Sequence, residues 1–203
     1  STLFPYSSDL AERTARTDSR PLMVSTACRR AALTQVMWAL RLRLLDRDDE
    51  ARLHWRAAIS ATIRCQRETA MSTAAGWDAA VSAYEAIAWV HLGEPEIARN
   101  LLPRVLADPA SLATSPHAVV AADLAAAMVA RADGDIRSAS DQLHRALAAD
   151  DPSMSGSWHA VALRELVDLE RLSEGFSVTA ATAAALKLAG LMAARLWDER
   201  ERR

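Results

Sequence analysis

Apolar side chains recur at steps of three and four residues over most of this chain, which is the period of a helix that buries one face. The pattern predicts a first helix from about Leu22 to Leu45, ended by the acidic run 46–50, and a second helix that continues to about Thr69. Residues 1–20 are polar and form an N-terminal arm. The apolar side of the first helix comprises Val24, Cys28, Ala31, Leu33, Val36, Leu40 and Leu44.

Three glycines divide the rest of the chain at equal intervals. The interval from Gly93 to Gly134 equals the interval from Gly134 to Gly175, and each glycine follows an apolar helix and precedes another. Glycine closes a helix cheaply because it adopts positive φ, so the repeating unit is a helical hairpin. The predicted helices are 77–92, 95–107, 116–132, 136–149, 157–173 and one that begins near Val178.

A period of this length built from helix pairs is typical of an α-solenoid, in which stacking buries the apolar faces of neighbouring hairpins. Composition supports the same fold class, since alanine supplies 44 of the 203 residues and glycine only six. We therefore predict an all-α fold of stacked antiparallel hairpins over residues 21–177, followed by a long C-terminal helix over 178–203.

Charge and hydropathy restrict the expected partners. The formal net charge is -2, from 24 basic and 26 acidic residues, so neither nucleic acid nor a membrane surface is an expected partner. No run approaches the roughly 20 apolar residues of a membrane span, and the first residues lack the pattern of a secretory leader. We expect a cytoplasmic protein in which Cys28 and Cys65 are reduced thiols.

The hairpins resemble the tetratricopeptide repeat family, whose unit has small residues where its helices cross, a turn glycine, small residues in the second helix and often a following proline. The resemblance covers roughly 77–190. Two features depart from the family: the glycine period is longer than the family's period of about 34 residues, and the first hairpin lacks a turn glycine. The residues that carry the resemblance are Ala86, Trp89, Gly93, Ala98, Leu102 and Pro109 in one unit, then Ala127, Ala130, Gly134, Ala139, Leu143, Ala146 and Pro152 in the next.

Candidate chemistry is sparse. The acidic residues Asp46, Asp48, Asp49 and Glu50 fall at a predicted turn, where a solvated surface is favoured over a metal site. The five histidines have no metal-ligand spacing, and neither a nucleophile elbow nor a phosphate loop is present. We expect no metal, no cofactor and no catalytic residues in this chain. The six tryptophans are interpreted either as core filling or as walls of a binding surface.

The resemblance implies that the first helix of each unit faces a concave groove. This groove would be largely apolar, and it suits a protein or peptide partner in the form of an amphipathic helix, or a small apolar ligand. Additional helices could instead fill it. The residues expected to line it are Ile87, Val90, His91, Leu124, Met128, Arg131, Glu165, Leu169 and Leu172.

The last predicted helix carries an apolar seam at alternating steps of three and four, which is close to a heptad repeat and favours a homodimer. It ends in the charged run DERERR, and we expect the native chain to continue into another domain. The seam residues are Leu186, Ala189, Ala193, Leu196 and the adjacent Trp197.

This arrangement is similar to the N-terminal regulatory regions of bacterial diguanylate cyclases of the GGDEF type, although the chain has no GGDEF motif. The similarity is an analogy of arrangement. It implies a non-catalytic sensory or interaction domain that regulates an output domain, with the cyclase activity residing in that output domain. The alternative is a ligand-sensing helical arm of a bacterial transcription regulator.

Overall fold

The computed structural model describes residues 21–70, 79–107, 112, 116–149 and 156–172. The regular elements within these ranges are all helices, which confirms the all-α prediction, and their ends lie within two residues of the predicted ones. The predicted arm 1–20, Gly175 and the stalk 178–203 lie outside the described residues. The helices are α1 Pro21–Leu44, α2 Asp48–Ala70, α3 Ala79–His91, α4 Pro95–Leu106, α5 Pro116–Ala132, α6 Ile136–Ala149 and α7 Gly156–Leu172.

The α3–α4 and α5–α6 hairpins turn in the same way. Gly93 has φ 90° and Gly134 has φ 78°, so both residues adopt the left-handed conformation that the glycine spacing predicted. The two backbone hydrogen bonds that close each helix are equivalent, and they form the pattern of a Schellman motif. These bonds join Gly93 N to Val90 O at 3.0 Å, Glu94 N to Trp89 O at 2.9 Å, Gly134 N to Arg131 O at 3.0 Å, and Asp135 N to Ala130 O at 2.9 Å.

The α1–α2 hairpin uses the same turn without a glycine. Asp46 has φ 55°, its N–H donates to Arg43 O at 3.0 Å, and the next N–H, of Arg47, donates to Leu42 O at 2.9 Å. Aspartate tolerates the left-handed region better than most residues, because its short polar side chain can bond locally. The first hairpin therefore departs from the others in the identity of its turn residue and not in the geometry of the turn.

Small buried residues lie at equal distances from the three turns. Alanine stands seven positions before each turn residue and again five positions after it, and these six alanines are at most 2% exposed. Side chains this small let the paired helices approach closely. The six residues are Ala39, Ala86 and Ala127 before the turns, and Ala51, Ala98 and Ala139 after them.

The first helices of successive hairpins also contact one another. Helix α1 packs on α3, α3 on α5, and α5 on α7, and α7 also contacts α1. The first and last described helices therefore meet. Trp55 of the first hairpin and Trp158 of α7 both lie in the core, since they are at most 2% exposed. The Trp158 ring stacks on Tyr84 with centroids 6.3 Å apart.

The two cysteines face each other across the first hairpin. Their Cα atoms are 5.3 Å apart, and the structure joins the two sulfurs as a disulfide between α1 and α2. The expectation of reduced thiols is therefore wrong for this structure. The physical reason is the antiparallel hairpin: its turn residue, Asp46, lies almost midway between Cys28 and Cys65 in the sequence, so the turn places the two cysteines opposite each other.

Candidate functional site

Polar side chains from four helices converge where α1 and α7 meet. They are Arg43 of α1, His91 of α3, Arg131 of α5 and Glu165 of α7. Arg43 and Arg131 occupy equivalent places, each three residues before its turn residue. A cation in the last turn of a helix is favoured by the helix dipole. We call these four residues the polar cluster.

Glu165 joins the two arginines of the polar cluster. Its Oε1 lies 3.1 Å from Arg43 Nη2 and its Oε2 lies 2.5 Å from Arg131 Nη1, while its side chain is only 4% exposed. A buried carboxylate is tolerated when charged donors satisfy both of its oxygens. Loss of one partner from such an arrangement is costly, because the remaining charges stay desolvated.

His91 occupies the other side of Arg43. Its ring stacks on the indole of Trp55, with centroids 4.5 Å apart, and its Nδ1 accepts a hydrogen bond from Arg43 Nη1. Because a guanidinium can only donate, this bond requires a neutral imidazole that carries its proton on Nε2. Burial and the neighbouring charges of Arg43 and Arg131 hold the pKa of His91 well below its ordinary value. The polar cluster therefore contains two cations, one anion and one neutral ring at neutral pH.

A second ion pair joins α7 to the first turn. Arg164 Nη2 lies 3.5 Å from Asp46 Oδ1, and Arg164 Nε lies 3.2 Å from Asp168 Oδ2. With the pair between Arg43 and Glu165, this places two ionic contacts between the first hairpin and α7. The contact between the first hairpin and α7 therefore includes one largely buried ion pair and one exposed ion pair.

The structure places most of the predicted groove residues inside the core. Ile87, Leu124, Met128 and Leu169 are at most 2% exposed, and Glu165 is also buried. Val90, His91 and Arg131 keep partial exposure. At Met128 the physical reason is α7, which packs on α5 and also contacts α1. Ile87 lies on α3, which packs against α1, α2, α4 and α5.

The remaining crevice near these residues is narrow. It lies between α5, α6 and α7, is lined by Met128, Arg131, Leu143, Glu165 and Leu169 among others, and is too narrow to hold a water molecule. The accessible part of the expected groove is therefore a polar surface around His91 and Arg131. The stalk residues Leu186, Ala189, Ala193, Leu196 and Trp197 lie outside the described ranges.

Arg43 and Trp55 were not among the predicted groove residues. A usable signal for Arg43 was its position three residues before Asp46, which matches Arg131 before Gly134. The sequence placed Asp46 in a predicted turn but did not identify it as the residue with positive φ. Trp55 lies nine residues after Asp46, where Leu143 lies after Gly134. Aligning the three turn residues Asp46, Gly93 and Gly134 in the sequence identifies both positions.

The acidic residues at the first turn are exposed, and Arg47 Nε donates to Glu50 Oε1 at 2.6 Å. In the described part of the chain, no group of three or more histidine, cysteine or acidic side chains is placed to hold a metal ion. The helices within those same ranges include none long and apolar enough to cross a bilayer. Comparison of the sequence with models of known protein families and with curated proteins gives no match.

Proposed function

We propose that this chain is a non-catalytic, tetratricopeptide-repeat-like interaction domain that regulates an output domain through dimerisation along residues 178–203. The observation that carries the proposal is the threefold recurrence of one turn with buried alanines at fixed distances on both sides of it. Such recurrence is typical of repeat proteins, whose extended surfaces bind other proteins.

The order of helix contacts supports a solenoid-like stack. Each first helix packs on the first helix of the next hairpin, as expected when hairpins are added with a constant rotation. The additional contact of α7 with α1 requires strong curvature, so the partner-binding surfaces in this proposal are the outer helix faces and the rim around the polar cluster.

Dimerisation is proposed from the heptad-like seam of the last predicted helix. Two such helices would pack in parallel and transmit a change in the repeat domain to whatever follows them. By analogy of arrangement, the output domain would be a diguanylate cyclase, located in the cytoplasm with the rest of the protein.

The dimer proposal is tested by light scattering after size exclusion. The full chain should behave as a dimer, and the variant Leu186→Glu with Leu196→Glu should behave as a monomer. The matched control is Ala184→Glu with Leu191→Glu, which has the same charge change on the opposite side of the predicted helix and should remain dimeric. A monomeric parent chain would remove the dimer mechanism.

The structure gives less support to a ligand-sensing arm of a transcription regulator. That alternative needs an open groove for a small apolar ligand, and the side chains that would line it are packed in the core. A ligand would first have to separate α5 from α7. The alternative predicts a thermal shift with a hydrophobic compound, abolished by Met128→Glu.

A further inference from the structure

The disulfide between Cys28 and Cys65 lies at the end of the first hairpin that is farthest from its turn. Cys28 precedes Asp46 by 18 residues, and Cys65 follows Asp46 by 19 residues. At a rise of about 1.5 Å per residue, the bond is about 27 Å from the turn along the helices. The disulfide therefore joins α1 to α2 at the end where the turn itself cannot hold the two helices together.

The bond lies beside the main core of the protein. Among the described residues, the two cysteines and Val81 of α3 form a small buried cluster of their own. The larger cluster contains the buried residues of α1 and α2 that lie closer to the turn, including Ala32, Val36 and Ala58. Because that larger cluster does not include the cysteines, we expect the hairpin to stay folded when the bond is reduced.

Helix α2 has a second anchor at this end. Gln66, which follows Cys65, donates from Nε2 to Oε2 of Glu85 on α3 at 2.5 Å. Glu85 is buried, and its Oε1 accepts a hydrogen bond from Trp89 Nε1 at 3.3 Å. A buried carboxylate is costly without such donors, so this contact holds the end of α2 on α3 independently of the cysteines. Reduction of the disulfide should therefore release the beginning of α1 before the end of α2.

We propose that Cys28 and Cys65 form a reversible redox switch, which fixes the beginning of α1 to α2 when oxidised and releases it when reduced. The inference rests on the cytoplasmic location in the proposed function, because cytosolic disulfides are usually transient. The co-reactant is a small thiol and its disulfide, of the glutathione class. The switch does not depend on the dimer stalk, so the light-scattering result and the redox result can fail separately.

Bond formation takes two thiol–disulfide exchanges. One cysteine thiolate attacks the small disulfide, which gives a mixed disulfide and one small thiolate. The other cysteine thiolate attacks the protein sulfur of that mixed disulfide, which forms the bond between Cys28 and Cys65 and releases a second small thiolate. The two small thiolates take up the two protons that the cysteines lose, and two electrons pass from the cysteines to the small disulfide. Reduction is the reverse sequence. Both cysteines are buried, so each exchange requires separation of α1 from α2 near Cys28.

The first test measures reversibility on the full chain, whose only two cysteines are the two of the switch. The protein is equilibrated without denaturant in glutathione mixtures from fully reduced to fully oxidised, then alkylated and weighed by mass spectrometry. The two thiols should disappear together as the oxidised fraction rises. They should return completely when the oxidised protein is transferred to reduced glutathione.

Limited trypsin digestion then locates the structural change. Arg30 lies two residues after Cys28 and Arg67 lies two residues after Cys65, and both arginines are exposed. Reduction should increase cleavage at Arg30 about tenfold, because the beginning of α1 then opens locally. Cleavage at Arg67 should increase less, since Gln66 still holds the end of α2 on α3.

Two controls separate local release from general loosening. Arg137 and Arg145 are exposed on α6, and their cleavage should change less than about twofold on reduction. The variant Cys28→Ala with Cys65→Ala should be cleaved like the reduced parent chain and should not respond to reductant. Circular dichroism checks that the reduced parent and the variant keep their helix content.

Four results would overturn the proposal. The first is a bond that persists in reduced glutathione, which would make it a permanent structural link. The second is failure of the bond to form in oxidised glutathione, whether the thiols stay free or are capped by glutathione. The third is equal cleavage at Arg30 in the two redox forms. The fourth is equal acceleration at Arg30 and at the α6 sites, which would indicate a loss of global stability instead of release of α1.

Discussion

The backbone conformation of the three hairpin turns predicts how substitutions there change stability. At Gly93, the larger asparagine should cost less stability than the smaller alanine. Gly93 and Gly134 have positive φ, and a Cβ added at either position would meet nothing within 4 Å. Replacement by alanine therefore introduces no clash, and its cost is that of the left-handed backbone alone. That cost is about 1–2 kcal/mol, and the lower entropy of the unfolded chain offsets about 0.4–1 kcal/mol of it.

We expect Gly93→Ala and Gly134→Ala each to lower the free energy of unfolding by about 1 kcal/mol, or about 2–4 °C in Tm for a chain of this size. Gly93→Asn should cost less than Gly93→Ala although asparagine is larger, because asparagine tolerates the left-handed region. Because the two turns are separate, the double alanine variant should show additive losses.

At Asp46 the effect of substitution on the free energy of unfolding should be reversed, because there glycine is the residue that fits the turn better. Asp46→Gly removes a non-glycine residue from φ 55° and should be neutral or stabilising by up to about 1 kcal/mol, whereas Asp46→Val should destabilise by about 1–2 kcal/mol. The Asp46 side chain is 81% exposed, so loss of its 3.5 Å contact with Arg164 contributes little. Asp46→Asn removes the charge, keeps a residue suited to the turn, and serves as the control.

The assay is urea unfolding followed by circular dichroism at 222 nm, with the midpoint compared at constant m. The reasoning is refuted if Gly93→Ala and Gly134→Ala leave the midpoint unchanged or raise it. It is refuted equally if Asp46→Gly is as destabilising as Asp46→Val. Either result would mean that the three turns do not share one backbone conformation.

Three further predictions concern the core and the polar cluster. Glu165→Gln should lower the free energy of unfolding by about 1–3 kcal/mol, because Arg43 and Arg131 lose a shared carboxylate. The control Asp168→Asn, on the same helix, should lower it less. Equal losses for the two variants in urea titrations would contradict the role of Glu165. Reduction of the link between Cys28 and Cys65, which are 37 residues apart, should cost about 4 kcal/mol by loop entropy, and the variant with both cysteines replaced by alanine should not respond to reductant. The pKa of His91 is lower in the folded protein than in the unfolded chain. The stability that neutral His91 contributes is therefore present above the pKa of the unfolded chain and is lost as the pH falls below that value. The free energy of unfolding should decline below about pH 6.5 by up to about 1.4 kcal/mol per pH unit. His91→Gln should reduce that slope, whereas the exposed His144→Gln should leave it unchanged.

Local interactions let the sequence determine much of this fold. The apolar period and the glycines at 93 and 134 located the α3–α4 and α5–α6 hairpins, because a helix face and a left-handed turn each depend on residues a few positions apart. Residues 116–132 and 136–149 were predicted with the ends that the structure has. Asp46 was assigned to a turn, but its positive φ was not predicted, because that conformation is permitted to aspartate without being characteristic of it.

Only the tertiary structure decided how the hairpins close on one another. The groove was expected from residues such as Ile87 and Met128, whose helical positions were right but whose exposure depended on how the surrounding helices would pack. Packing of α7 on α5 covers Met128, and α1, α2, α4 and α5 surround the helix that carries Ile87. The return of α7 to α1 brings Glu165 between Arg43 and Arg131. Helical periodicity shows which side of a helix is apolar, but packing between elements distant in the chain determines whether that side meets solvent, another helix or a partner.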